Sequence, residues 1–405
     1  MTDELISVAD ARTGVLACVE PLPPERVDLD DVLGRVLAAD VHSEGDLPAF
    51  DASAMDGYAT QAGPAAELDV VGEARAGRPA TGAVGPGEAM PISTGAAIPE
   101  GADAVVPIER GEAAAGGGRG EAGGRIRVPD RAPGDHIRGA GEDVPAGDLV
   151  LRAGRRIGPA ELAMLAAVSR GEAACRAVPR VAIVATGDEL VDPGAPLGPG
   201  QVRDSNGPAL AALAARAGTR VVRRARAADE RAAAMDALAE ALSTADVVCV
   251  SGGVSVGEHD HVKAALASLG VERRFWGVSL KPGKPTWFGT LGPRLVFGLP
   301  GNPVSAAVTF RLFVGPALAR LAGARDVLGR RVPAVLDEPV ARHGTREQAV
   351  RVSTEVGADG LRARPTGPQG SHILSSLLDA DALLLVAPGE GELPAGERVE
   401  LEPLD

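Results

Sequence analysis

The strongest constraint on what this chain can fold into is an alternation that begins at Pro179 and runs to about Ala322. Val181 to Ala185 reads as a buried strand, Pro208 to Ala217 as a helix stopped by Gly218, and Thr219 to Arg223 as a second strand. Asp229 to Leu242 follows as a helix, Asp246 to Val250 as a strand and His261 to Leu269 as a helix, and a long helix begins at Asn302 or Ser305. Strands separated by helices pair in one direction, with the helices covering both faces of the sheet. Ligands of such sheets sit beyond the C-terminal strand ends. Thr186-Gly187-Asp188-Glu189 and Ser251-Gly252-Gly253 both fall on that edge.

The rest of the chain follows other patterns. Ser7-Val8-Ala9-Asp10 has the form of a helix start with Ser7 as N-cap, and that helix should reach about Glu20. A second short helix is expected near Asp30, with Val32, Leu33, Val36 and Leu37 on its apolar side. From Val41 to about Asp148 Gly and Pro are frequent and apolar runs are short, which predicts a β-rich domain with many turns. Gly158-Pro159-Ala160-Glu161-Leu162 opens a helix ending near Gly171. After Arg331, strand-like segments at 333–336, 349–352, 383–386 and 398–401 predict a small closing β-barrel or sandwich. At 405 residues, several domains are required.

Composition narrows the function. Aromatic residues make up only 2% and the net charge is -14, so the chain lacks both the stacking platforms and the basic footprint of a nucleic-acid binder. Any anion it binds must be held by a local cluster of basic side chains. Cys18, Cys175 and Cys249 have no metal-ligand spacing and read as buried thiols in a reducing, cytoplasmic setting. The acidic start Met1-Thr2-Asp3-Glu4 shows no signal peptide, and no apolar run reaches membrane-spanning length, so no membrane partner is expected.

Three Gly-rich segments carry the chemistry. The loop Ser251-Gly252-Gly253-Val254-Ser255-Val256-Gly257-Glu258-His259-Asp260 follows an apolar run, Lys281-Pro282-Gly283-Lys284-Pro285 comes about twenty residues later, and Gly298-Leu299-Pro300-Gly301-Asn302-Pro303 closes the set. Outward backbone N–H groups, two lysines and an acid-tipped turn suit a phosphate-bearing ligand and its metal. Glu189 and Asp260, from neighbouring strand ends, can share a Mg²⁺ on a phosphoanhydride, with Asp188 the competing choice to Glu189. Lys281 and Lys284 flank a Pro-Gly turn that can aim both ammonium groups into one pocket, anchored by Trp287 and Phe288. No zinc-type cluster, nucleophile elbow or Walker A motif is present.

Read together, these segments resemble the molybdopterin molybdenumtransferase family, which also includes the C-terminal domain of gephyrin. The specific strings are Ser53-Ala54-Met55-Asp56-Gly57-Tyr58-Ala59, Thr94-Gly95 with Pro99 to Val105, Gly141-Glu142-Asp143, Thr186 to Leu190, Asp204-Ser205-Asn206, Ser251 to Glu258, Lys281 to Pro285, Gly298 to Ser305, and Gln369-Gly370-Ser371-His372. The resemblance implies a multidomain α/β protein. Its parts are a discontinuous, helical linking domain (1–42 and 145–178), a β-rich lid (43–144), a central doubly wound, mostly parallel sheet domain that binds molybdopterin (179–325) and a C-terminal β-barrel (326–405).

It also implies the last step of molybdenum cofactor synthesis, in which adenylylated molybdopterin and molybdate give the cofactor and AMP with Mg²⁺ as helper. The family is a homodimer whose site lies between the sheet domain of one subunit and the lid of the other. That would set Asp56, Thr94, Arg138 and Asp143 across from Glu189, Asp260, Lys281 and Lys284, with Asp229 as a further acid. Thr186, Gly187, Ser251, Gly252, Gly253, Ser255, Pro285, Pro300 and Asn302 would line the pterin and phosphate site. Lys281, Lys284, Arg351 and Ser371 would hold molybdate. The chain departs from the family at Ala52, where Asn is usual, and at Gly139 and Ala140, places that are often basic. The rival readings are a molybdopterin adenylyltransferase, which resembles the sheet domain alone and has Gly-Gly-Thr-Gly where this chain has Gly252-Gly253-Val254-Ser255, and a non-catalytic molybdopterin-binding scaffold.

Overall fold

The computed structural model describes residues 5–114, 123–253 and 261–404. Its centre is a six-stranded sheet in the order Arg220–Ala227, Arg180–Thr186, Val247–Ser251, Arg294–Leu299, Trp287–Leu291, Glu272–Trp276. The first four strands run parallel, and Trp287–Leu291 runs against both of its neighbours. Alternate side chains of each strand enter different cores, as the two-residue period of a strand requires. Val181, Ile183, Val247 and Cys249 pack with helices Asn206–Arg216 and Pro303–Thr309 on one face. Ala182, Val184, Val248 and Val250 pack with helices Arg231–Thr244 and His261–Ser268 on the other. The three strands after residue 270 escaped the sequence reading because their apolar runs are interrupted by Arg, Gly and Thr rather than bounded by helices.

The expected long helix is present and interrupted. It runs Pro303–Thr309, widens to a π turn over Phe310–Val314, and resumes over Gly315–Leu321. Pro316 has no N–H, so a regular helix would leave the Leu312 carbonyl without a donor. Arg12 Nε donates to that carbonyl at 3.1 Å. By length and composition Pro303–Leu321, 19 residues, would suffice to cross a membrane, contrary to the expectation that no segment would. Its apolar window is 72% buried inside the protein, which makes it a core helix.

The N-terminal helix is Val8–Leu16, with Ser7 Oγ accepting the Asp10 N–H at 3.0 Å as a cap should. It packs on the central domain's core through Val8, Ala11 and Val15. Its Arg12 also pairs with the buried Glu402 of the C-terminal domain, 2.9 Å from Nη1 to Oε1. Burial alone would raise the Glu402 pKa; Arg12 and Arg331 outweigh it and hold the carboxyl below its usual range.

The helix expected near Asp30 is absent. Pro24–Asp28 is instead a strand pairing antiparallel with Glu172–Arg176, followed by one 3-10 turn over Leu29–Asp31. Clustered Asp side chains compete for backbone groups, and a ready ladder partner favours the extended form. Val32 and Leu37 are buried all the same, against Ile157 and Leu165, whereas Leu33 is exposed. Helix Pro159–Ala167 completes this unit, with the Glu161 carboxylate accepting the Gly158 N–H at 2.9 Å.

Residues 57–128 carry a second six-stranded sheet, ordered Ala104–Pro107, Gly57–Thr60, Glu88–Ile92, Ala66–Val70, Arg125–Val128, Glu112–Ala113. At the C-terminus, strands Glu347–Gly357, Gly360–Pro365, Val332–Leu336, Arg398–Pro403 and Ala382–Val386 close on themselves as a five-stranded barrel. The barrel also pairs in parallel with Leu280–Lys281, Leu280 against Glu347 and Lys281 against Gln348. That ladder fixes the lysine turn of one domain to the strand of another.

Candidate active site

The site is built where the chain leaves two neighbouring strands in opposite directions. After Thr186 it travels to the edge strand Arg220–Ala227; after Ser251 it crosses to the far side of the sheet. Such a divergence opens a crevice at the strand ends. The two loops approach so closely that Gly252, at φ +91°, has no room for a side chain: a Cβ there would lie 2.6 Å from the Thr186 carbonyl oxygen. Asn206 ties the floor together, its Nδ2 donating to Ser251 Oγ at 2.8 Å and to the Gly301 carbonyl at 2.7 Å. Asn206 belongs to a string quoted for the resemblance, yet its clamping role shows only in three dimensions.

A cavity of about 660 Å³ lies in the crevice. Thr186, Ser251, Gly252, Gly253, Pro285, Pro300 and Asn302 line it, as do the carboxylate residues Glu189 and Asp229. Gly187 lies beside it and is buried. Asp188, the competitor to Glu189, is engaged elsewhere: its Oδ1 accepts the Asp229 N–H at 2.9 Å and so sets the acidic turn. Ser255 and Asp260 lie outside the described residues, as does most of their loop. Among the described residues no group of three or more His, Cys, Asp or Glu gathers as a metal site. Glu189 and Asp229 offer carboxylate oxygen alone, the donor type that suits Mg²⁺ when phosphate and water complete its shell.

A second cavity of about 420 Å³ adjoins the first, with Pro285, Pro300 and Asn302 common to both linings. Lys281, Lys284, Arg346, Ser371 and His372 form its other walls. The lysine turn is anchored as expected, since Trp287 and Phe288 are buried directly behind it. Asn302 Nδ2 donates to Ser371 Oγ at 2.9 Å and so joins the sheet edge to the barrel. The local field is positive within an acidic chain: loss of solvent, then Arg346 and Lys281, push the His343 pKa below its usual value.

Arg346 is not singled out by sequence, because the segment His343-Gly344-Thr345-Arg346 carries no motif and takes its place from tertiary contacts, among them the Leu280–Lys281 ladder that follows it and the Ser279 hydroxyl donating to the Thr345 carbonyl at 3.2 Å. Arg351, read as a molybdate ligand, is corrected by the structure. It is 0% exposed and lines neither cavity. Its guanidinium donates to Ser376 Oγ at 3.2 Å and to the carbonyls of Gln369 and Gly370, both at 3.3 Å. Burial lowers its pKa to about 10. Arg351 therefore shapes the loop that presents Ser371, and Arg346 faces the cavity.

The lid residues gather separately. Asp56 Oδ1 accepts the Thr94 N–H at 2.7 Å and the Thr94 hydroxyl at 2.9 Å, which holds the Asp56 carboxyl below its usual range, the backbone bond being the larger cause. Arg138 pairs with Ala52 in a short antiparallel ladder, and the Asp143 N–H reaches the Leu47 carbonyl, so segments 47–56, 93–97 and 136–144 share one edge. Ala52 is buried, and the neighbouring Ser53 supports the turn, donating to the Met55 carbonyl at 2.6 Å. Asp56, Thr94, Arg138 and Asp143 are all exposed, and none lines either cavity.

A mostly parallel sheet with a glycine-floored crevice at its strand ends, two carboxylates on that crevice and an adjoining cationic pocket define an α/β protein with a small-molecule site at the switch point of its sheet. Comparison with known proteins sharpens that class. Residues 6–169 match the MoeA N-terminal region (domain I and II), 182–320 a probable molybdopterin binding domain and 333–404 the MoeA C-terminal region (domain IV). The chain is 34% identical to the molybdopterin molybdenumtransferase of Haemophilus influenzae over 99% of both chains. It is 36% identical to molybdopterin molybdenumtransferase 2 of Mycobacterium tuberculosis over 98% of both. A crystal structure of the molybdopterin biosynthesis MoeA protein from Pyrococcus horikoshii OT3 superposes with a TM-score of 0.83 at 30% identity, covering 98% of this chain and 99% of that one. The chain belongs to the molybdopterin molybdenumtransferase family and is a transferase.

Proposed function

We propose that this chain inserts molybdenum from molybdate into adenylylated molybdopterin and releases AMP, the last step of molybdenum cofactor biosynthesis. The observation that carries the reading is the common wall of Pro285, Pro300 and Asn302 between an acid-rimmed, glycine-floored cavity and a cationic one. A ligand holding its phosphates over the first places its dithiolene against the second. Gly253, which lines the cavity on the same turn as Gly252, brings backbone close enough for phosphate oxygens to meet it without a side chain between. Lys281, Lys284, Arg346 and the Ser371 hydroxyl hold molybdate, a dianion that matches several convergent donors. Holding both reactants beside one wall turns an encounter between two anions into a step within one complex.

Glu189 is the proposed magnesium ligand with Asp260, and Asp229 is a further carboxylate on the same cavity. Bound there, Mg²⁺ supplies charge stabilisation to the phosphate that departs with AMP. The lid edge bearing Asp56, Thr94, Arg138 and Asp143 completes the site of a second subunit in a homodimer. Three free cysteines agree with a reducing compartment, the cytoplasm.

The test is to incubate the protein with adenylylated molybdopterin, Mg²⁺ and molybdate and follow AMP. Release that requires molybdate is the expected result. Formation of adenylylated pterin from ATP, or binding with no turnover, would overturn the reading.

A further inference from the structure

The wall of the larger cavity that follows strand Arg180–Thr186 holds an apolar feature that the fold does not use; strand Val247–Ser251 lies between it and Pro300, which follows strand Arg294–Leu299. Leu190–Val191 and Val202–Arg203 form a short parallel ladder in which Leu190 is the direct partner of Val202. Directly paired residues present their side chains on one face. Both line the cavity. Val202 is 50% exposed, and among the described residues neither side chain joins a hydrophobic core. The ladder is nevertheless fixed in place: the Val202 N–H donates to the Glu189 carbonyl at 2.8 Å and the Asp204 N–H to the Val191 carbonyl at 2.9 Å. Asp204 in turn accepts the Gly207 N–H at 2.8 Å and so fixes the start of helix Asn206–Arg216.

We infer that Leu190 and Val202 form a shelf for the adenine ring of the nucleotide. The inference rests on the functional reading above and assigns an orientation within it. An apolar pair held in place beside a polar, acid-bearing wall is the usual way a pocket takes a flat heterocycle while its phosphate is bound elsewhere. The choice of adenine over the pterin follows from position. Glu189 carries the shelf and belongs to the phosphate end of the cavity, whereas the dithiolene end must reach the wall shared with Lys281 and Lys284. The nucleoside therefore points away from the prolines, onto Leu190 and Val202.

The experiment is calorimetric titration of the full-length protein, with Mg²⁺ present, by AMP and by ribose 5-phosphate, which lacks only the base. In the double variant Leu190→Ala/Val202→Ala the Kd for AMP should rise about tenfold while that for ribose 5-phosphate stays the same. Since neither residue supports a core, thermal unfolding should be little changed. An unaltered AMP affinity, or an equal loss for both ligands, would sink the shelf while leaving the functional reading in place. A wild-type protein that binds neither AMP nor ribose 5-phosphate would instead overturn the functional reading, and the shelf with it.

Discussion

The two clusters of candidate site residues are prepared to different degrees. On the sheet edge, side chains from the central domain and the barrel converge on two cavities with a common wall, and ties such as Asn302 to Ser371 hold the domains in register. On the lid edge, Asp56 is already oriented by Thr94, and Arg138 and Asp143 stand nearby, yet all four are exposed and line no cavity. The second cluster is set in geometry and lines no cavity within this chain, so the function proposed for it depends on a wall from a second subunit.

The largest effect that separates the two should come from the cationic pocket. Lys284→Ala removes a charge from the pocket proposed for molybdate, and losses of one preorganised donor commonly cost about 10²–10³ in rate. Molybdate-dependent AMP release should fall by at least that order, with the circular dichroism spectrum unchanged because Lys284 is exposed. Loss of less than about tenfold would remove the pocket from the chemistry.

Backbone constraints should differ in the same direction. Gly252 and Gly95 both have positive φ, +91° and +78°. At Gly252 an added Cβ would also strike the Thr186 carbonyl, whereas at Gly95 nothing lies within 4 Å. Gly95→Ala should cost about 1–2 kcal/mol of backbone strain alone, and Gly252→Ala roughly 2–3 kcal/mol because the loops must also move apart. Urea unfolding of the two variants measures the gap. Equal costs would mean that the sheet-edge loops are less tightly joined than the distances indicate.

Much of the sheet edge was legible because its requirements are written locally. A glycine after a strand end, or a Pro-Gly turn between lysines, announces a backbone conformation wherever it occurs. Arg346 and Arg351 show where that legibility ends. They lie five positions apart on one side of the barrel, and composition does not distinguish them. In strand Glu347–Gly357 the run 349–352 is buried on both faces, so alternation gives no direction for Arg351. Only the closure of the barrel and its ladder to Lys281 turn one arginine inward and the other to the cavity. The segment near Asp30 failed for the related reason that its partner strand lies more than a hundred residues away.

A mixed-dimer experiment breaks or sharpens the comparison directly. Asp56→Ala should lower turnover about tenfold, less than Lys284→Ala, since the role proposed for the lid edge is to position ligand and not to hold the metal oxyanion. Unfolding the two variants together and refolding them as a mixture should restore about a quarter of wild-type activity. Roughly half of randomly formed dimers would be mixed, and each would contain one site with both halves intact. Activity no higher than the average of the two variants would place Asp56 and Lys284 in the same subunit's site.

The smallest expected effect is a displacement in pH. The Thr94 N–H and hydroxyl bind Asp56 in its charged form, so they depress its pKa, and Asp56 stays ionised as pH falls through the ordinary aspartate range. Any stability from this pairing is complete above the unfolded value of about 3.9 and is lost as pH falls through the lower folded value. Thr94→Val removes the hydroxyl donor and keeps the backbone one, which is the larger cause. If ionised Asp56 takes part in ligand binding, the acid limb of the kcat/KM profile should therefore move to higher pH in Thr94→Val, by less than it would if both bonds were lost. Lys284→Arg, on the other cluster, should change the height of that profile and leave its acid limb in place, because a guanidinium does not titrate there. An acid limb that moves with Lys284 and ignores Thr94 would put the titrating group on the sheet edge and leave the lid with no electrostatic part in binding.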